Sequence, residues 1–162
     1  MSDSHPGSAD KPALRLDEFL CFAVYSAAHA FNRAYKPLLA VLGLTYPQYL
    51  VMAVLWEKDG QTVGNIGERL FLESSTLTPL LKRLEAMGLI LRMRDRPDER
   101  VVRVVLTDAG RNLKVVARDV PSCILDSSGL AAEDAMRLQR QIEDLRVSLL
   151  SSAAGSTPGQ VD

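Results

Sequence analysis

Apolar residues recur at helical spacing through most of the chain, and the breaks in that period mark the elements. Phe19, Leu20, Phe22, Ala23, Val24, Ala27, Ala28, Ala30, Phe31 and Ala34 predict a long helix from about Asp17, a plausible N-cap, to Leu42. Gly43 is its terminator and Pro37 a site for a kink. These positions nearly encircle the helix, so one subunit leaves some uncovered and a subunit interface is their natural cover. Thr45-Tyr46-Pro47-Gln48 reads as a capping box opening a second helix with Tyr49, Leu50, Met52, Ala53, Leu55 and Trp56. That helix is expected to pack behind the next two.

Val63, Ile66, Leu70 and Phe71 predict a short helix capped by Thr62, and after Leu72-Glu73 comes Ser74, a good N-cap. From there Leu77, Leu80, Leu81 and Leu84 make one stripe, about four turns long, ending at Gly88. The period then changes. Leu89–Arg94 and Val101–Leu106 are strand-like runs joined by the turn-rich Asp95–Arg100. Two short helices followed by a charged hairpin are a winged helix-turn-helix. Thr107 predicts the cap of a helix to about Val120, which Pro121 interrupts. Pro121–Ile124 is then a break, Asp126–Gly129 a loop, and Ala132–Leu150 a last helix.

The expected fold is therefore mainly α with a small β-wing. Residues 14–150 form one subunit, with dimerisation helices at about 14–43 and 111–150 and the winged helix at about 45–110. Residues 1–13 and 151–162 are small, polar and rich in Gly, Pro and Ser, which predicts disordered tails.

Charge sharpens the picture only locally. The chain has 47% hydrophobic residues and a net charge of −1, which argues against a general polyanion coat. Between Lys82 and Arg103, seven cations stand against four anions. Charge runs are usually only solvated faces. Here the excess coincides with Ser74, Ser75, Thr76, Thr78, Lys82 and Arg83 on the outer face of the second short helix, a face suited to base edges and phosphates. Arg94, Arg96, Asp98 and Arg100 in the hairpin extend it. The histidines, His5 and His29, have no partner at metal-ligand or triad spacing, and no phosphate loop or C-x-x-C is present. The expectation is a protein that is no enzyme and holds neither cofactor nor metal. The longest apolar run is too short for a bilayer, so a soluble, cytoplasmic protein without membrane contact is expected.

The recognition-type helix, Gly88-Leu89-Ile90, the wing Asp98-Glu99-Arg100 and Leu106-Thr107-Asp108-Ala109-Gly110 together resemble the MarR family of dimeric bacterial transcription regulators, over roughly residues 15–150. The resemblance implies a homodimer on double-stranded, pseudo-palindromic operator DNA. It places the recognition helix in the major groove and Arg100 in the minor groove, held by Asp98.

Cys21 sits near the start of the first helix, one turn inside it by this reading, where the helix dipole favours a thiolate, and Tyr25 follows four residues on. The commoner role of a free cysteine is an inert core residue. The segments Tyr35-Lys36-Pro37-Leu38-Leu39 and Gly43–Met52, with Leu55-Trp56-Glu57, resemble the organic-hydroperoxide-sensing repressors of the family, the OhrR type. By that resemblance Cys21 matches the cysteine oxidised by organic hydroperoxides, Tyr35 and Tyr46 its hydrogen-bonding partners, and Tyr25 a further pocket tyrosine. Cys123 matches the resolving cysteine of the two-cysteine subtype, in which a disulfide follows and DNA is released. Fourteen residues separate Cys21 from Tyr35, about 21 Å along a straight helix, so the tyrosine is expected from the other subunit. The alternative is a repressor released by a small aromatic ligand in the cleft between dimer module and winged domain, its cysteines inert.

Overall fold

The computed structural model describes residues 14–94, Asp98 and 100–155. The described residues fall into two compact units that divide between Arg33 and Ala34, inside the first helix.

In the first unit Asp17 is not the N-cap the sequence suggested. Its carboxylate accepts from Arg15 Nη2 at 2.7 Å within a 3-10 turn, Leu16–Glu18, and this contact holds it below the ordinary aspartate range. With that side chain engaged, Phe19 supplies the first carbonyl, accepting from Ala23 N–H at 3.1 Å, and helix α1 runs Leu20–Ala40. Pro37 lies in its last turn without ending it. Gly43, at φ +67°, makes the turn that Leu44 N–H closes on Leu39 O at 3.1 Å.

The second unit is built on α2, Tyr46–Glu57, which buries Gln48, Tyr49, Val51, Met52, Val54 and Leu55. Its capping box is present: Gln48 Oε1 accepts from Thr45 N–H at 2.9 Å. Helix α3, Val63–Leu70, starts where Thr62 Oγ1 accepts from Asn65 N–H at 3.1 Å and ends at Phe71 in the left-handed region. Helix α4 is Ser74–Ala86. Ser74 is its first residue rather than its cap, because the extended Glu73 already supplies the carbonyl that Thr76 and Leu77 N–H reach at 3.0 Å. Ile66, Leu77, Leu81 and Leu84 close over Met52 and Leu55 as the core, so α2 does pack behind the helix pair.

Strands β2, Ile90–Arg94, and β3, Val102–Leu106, form the antiparallel wing with Arg92 opposite Val104. A two-residue strand β1, Gln61–Thr62, adds to β3 in the order β1-β3-β2. Two residues are too short to show alternation, so sequence reading missed it.

Helix α5, Asp108–Ala117, is capped by Thr107 as expected, its Oγ1 accepting from Gly110 N–H at 3.0 Å. It stops before Val120, so the expected interruption falls at Arg118–Asp119, while Pro121–Ile124, expected as the break itself, is helical. Pro121 is the second residue of a new helix α6, Val120–Ser128, where an absent N–H leaves no bond unmade. Asp126–Ser128, expected as loop, is the last turn of α6, ended by Gly129 at φ +69°. Helix α7 runs Ala132–Gly155, past the expected end at Leu150 and into the stretch read as tail. None of the described helices is long and apolar enough to cross a membrane.

Candidate nucleic-acid interface and thiol site

Helix α4 turns Leu77, Leu81 and Leu84 to the core, which leaves Ser74, Ser75, Thr76, Lys82 and Arg83 exposed. Thr78 is half-buried and donates its hydroxyl to Ser74 O at 2.7 Å. Hydroxyls thus occupy the start of the outer face and cations its second half.

The wing cations divide into two groups. Arg92 donates to Glu85 through Nε and Nη2 at 2.9 and 2.6 Å, and its backbone N–H reaches the same carboxylate at 3.1 Å. The guanidinium bonds both fall on Oε2 and the backbone bond on Oε1, and together they tie β2 to α4 and hold Glu85 below the ordinary carboxylate range. Arg103 donates to Gly60 O at 2.7 Å, bracing β3 against the turn before β1. Both serve the framework. Arg94 and Arg100 are exposed, and Arg96 lies outside the described residues. Asp98 does not grip the Arg100 guanidinium as the resemblance implied. Its Oδ1 accepts from the Arg100 backbone N–H at 3.0 Å, and Val101 N–H bonds Asp98 O at 2.9 Å. This small turn fixes where the Arg100 side chain leaves the chain. Between wing and helices runs an open groove of about 490 Å³ lined by Ser74, Thr78, Arg92 and Arg100 together with Thr62 and Gly64. Thr62 was read only as the cap of α3 and Gly64 was not singled out, although the position of Thr62 beside Ser74 follows from the helix pair.

At the start of α1, Cys21 is the second helical residue, closer to the end than sequence reading placed it, and it is exposed. Tyr25 is 61% exposed. Its ring meets His29 edge-on at 4.4 Å and stacks toward Phe22 at 6.3 Å. In the second unit, the Tyr35 and Tyr46 rings lie tilted at 31° with centroids 4.3 Å apart, and Tyr49 lies 5.8 Å from Tyr35. Burial, reinforced by the Tyr46 and Tyr49 oxygens and a hydrogen bond with Tyr46, pushes the Tyr35 hydroxyl up to about 12. Burial also raises Tyr46 and Tyr49. All three therefore remain protonated at neutral pH and can act as hydrogen-bond donors. Sequence reading missed Tyr49 and the ring beyond it, Trp56, 6.0 Å from Tyr49. The signal was their seven-residue spacing, which puts both on one face of α2. Cys123 is half-buried in α6, its carbonyl accepting from Ser127 Oγ at 2.7 Å. Both cysteines are free thiols. Among the described residues no group of three His, Cys, Asp or Glu side chains could hold a metal ion.

Residues 33–115 match the family model of the SarA/Rot transcriptional regulators. The chain is 54% identical to the HTH-type transcriptional regulator TtmR of Methylorubrum extorquens, covering 88% of this chain and 72% of that one. It is 44% identical to the organic hydroperoxide resistance transcriptional regulator of Bacillus subtilis, covering 84% and 92%. Among solved structures it resembles AbfR of Staphylococcus epidermidis. The reduced, DNA-bound form of AbfR aligns with a TM-score of 0.69 at 36% identity, covering 81% and 91% of the two chains. A disulfide-formed AbfR aligns with a TM-score of 0.59 at 37% identity, covering 78% and 88%.

Proposed function

The chain belongs to the MarR family of winged-helix, DNA-binding transcriptional regulators and is of the organic hydroperoxide resistance type, and from that premise we propose that it is a repressor released from its operator when Cys21 is oxidised by an organic hydroperoxide. Regulators of this family are dimers, and the proposed dimer sets two copies of α4 into successive major grooves with Ser74, Ser75, Thr76, Thr78, Lys82 and Arg83 toward the DNA. Arg94 and Arg100 follow the backbone into the minor groove. Arg96, outside the described residues, is assigned the same face from its place in the sequence.

The chemistry proposed is a two-electron oxidation. The Cys21 sulfur attacks the terminal peroxide oxygen, the O–O bond breaks, and the hydroperoxide leaves as the alcohol while sulfur becomes sulfenic acid. The Cys123 thiol then attacks that sulfur, the S–S bond forms and water leaves. Tyr35 and Tyr46 are proposed to donate hydrogen bonds to the reacting sulfur, with Tyr25 completing the pocket wall. Cys21 and Tyr35 are fourteen residues apart on α1, about 21 Å of helical rise, so the donors are assigned to the partner subunit.

The observation that carries this reading is the half-buried Tyr35–Tyr46 pair, two phenols with ring centroids 4.3 Å apart on a chain with a matching cysteine. The test is operator release measured alongside non-reducing gels. Cumene hydroperoxide is expected to release the wild type and give a covalent dimer. Cys21→Ser should keep DNA and give no covalent dimer; Cys123→Ser should still form the sulfenic acid but no covalent dimer. An oxidised wild type that leaves DNA without any disulfide overturns the role of Cys123, and release of Cys21→Ser by peroxide overturns the thiol switch.

A second reading rests on a separate cavity. A cleft of about 360 Å³ among α2, α5 and α6 is lined by Tyr49 and Trp56 with Lys114 and Arg118. Aromatic walls and three cations, the third being Arg111, which also pairs with Asp59 and Asp108, suit an aromatic carboxylate, and release by phenolic acids without peroxide would favour this reading over the thiol switch.

A further inference from the structure

We infer that Trp56 is a positioning residue that passes the state of the Tyr35–Tyr46 pair to the base of the wing. The inference rests on the thiol switch proposed above and concerns how that switch reaches the DNA-binding face.

The rings form a continuous series. Tyr35 meets Tyr46 at 4.3 Å and Tyr49 at 5.8 Å, and Tyr49 meets Trp56 at 6.0 Å. Tyr46, Tyr49 and Trp56 all belong to α2, whose middle is buried on nearly every side. A helix so enclosed moves as one body, because close packing leaves its side chains no room to adjust separately. A displacement at Tyr46 is therefore carried to the far end of the helix.

At that end Trp56 grips the first turn of α5, directly behind the base of the wing. Its indole Nε1–H donates to Gly110 O at 2.9 Å, and Lys114 Nζ of α5 donates to Trp56 O at 2.8 Å. Gly110 is where three segments meet. Its N–H bonds the Thr107 hydroxyl at 3.0 Å, Thr107 N–H bonds Leu89 O at 3.1 Å, and the Thr107 hydroxyl bonds Gly88 O at 2.6 Å. Gly88 and Leu89 lead into β2, and Leu106 and Thr107 lead out of β3. Any Cβ on Gly110 would lie 2.1 Å from Leu89 O, so this junction has no slack to absorb a shift of Trp56. Displacement of the indole thus tilts the wing and Arg100 with it.

Trp56→Phe keeps a ring beside Tyr49 and deletes the N–H that holds Gly110. The variant is expected to bind operator like the wild type when reduced, and to form sulfenic acid at Cys21 at the wild-type rate. Its ratio of reduced to oxidised operator affinity should fall about tenfold, within the range of ordinary coupling energies. Trp56 is the chain's single tryptophan, so a second measurement needs no variant: its emission in the DNA-free wild type should change on oxidation with cumene hydroperoxide. A Trp56→Phe protein that keeps the wild-type ratio, or wild-type emission unchanged by oxidation, overturns the relay while leaving the thiol switch intact. If oxidation does not release the wild type from DNA, the switch itself fails and the relay falls with it.

Discussion

Burial sets the Tyr35 phenol apart from an ordinary tyrosine by resisting its ionisation. Its folded value of about 12 lies above the usual 10. A group raised in this way contributes stability in full below pH 10, and the contribution is lost as pH rises toward 12. Ultraviolet titration of tyrosinate should show one late step near pH 12 that Tyr35→Phe removes, and the wild type should lose thermal stability across that same window. A last tyrosinate step well below pH 12 would contradict the burial. On the DNA face, Arg100→Ala is expected to weaken operator binding by about 1 to 3 kcal/mol and to lower the salt slope by about one charge. Equal affinity at physiological salt would remove Arg100 from the interface. These residues were legible in the sequence because chemistry marks them: a cysteine and tyrosines in a motif, an arginine in a charged turn. What the hydrogen bonds do was not legible. Asp98 reaches the Arg100 backbone instead of its guanidinium, and Arg92 and Arg103, counted in the basic excess, are spent on Glu85 and Gly60. Charge counts carry no direction, whereas hydrogen bonds do.

Among the elements, the wing depends on two fastenings that can be tested separately. Arg92 lowers the Glu85 carboxyl from its usual 4.5, and a lowered carboxylate contributes stability present above that value and lost as pH falls through the folded one. Hydrogen-exchange protection of β2 should therefore decline below about pH 4.5. Glu85→Gln should lose that protection at every pH and show no such decline. The other fastening is Gly110. An alanine there meets a backbone carbonyl, which cannot rotate away, so Gly110→Ala should destabilise the fold by about 1 to 3 kcal/mol in thermal or chemical denaturation. Helix positions along the chain followed from apolar period, and the capping box of α2 and the Thr62 and Thr107 caps from side-chain chemistry. The misplaced ends have separate causes. Pro121 reads equally as a breaker or as a first-turn residue, and only the turn at Arg118–Asp119, which packing sets, decides between them. Asp17 was lost as a cap to a neighbour, Arg15, that competes for the same carboxylate.

Among the described residues, runs of exposed apolar side chains lie on the helices assigned to dimerisation. On α1, Leu20 is 63% exposed and Phe31 46%; on α7, Met136, Ile142 and Leu149 are 53%, 45% and 62% exposed. Single exposed apolar residues are ordinary, but runs of them along two long helices mark an association surface. A dimer built there makes DNA binding bivalent, because each winged unit reads one half-site and the second contact becomes intramolecular. The charge on one such helix can therefore be used to uncouple fold from function. Ile142→Asp places an unpaired carboxylate where an apolar partner is required, and α7 is exposed enough that the subunit core, centred on α2, does not depend on it. The variant is expected to remain helical by circular dichroism and to run as a monomer by light scattering. Its affinity for a full operator should fall by about a hundredfold or more, while its weak affinity for an isolated half-site stays at the wild-type level. A folded monomer of Ile142→Asp that binds the full operator as tightly as the wild type would show that one winged unit suffices. The assignment of the Cys21 pocket to two subunits would then lose its footing as well.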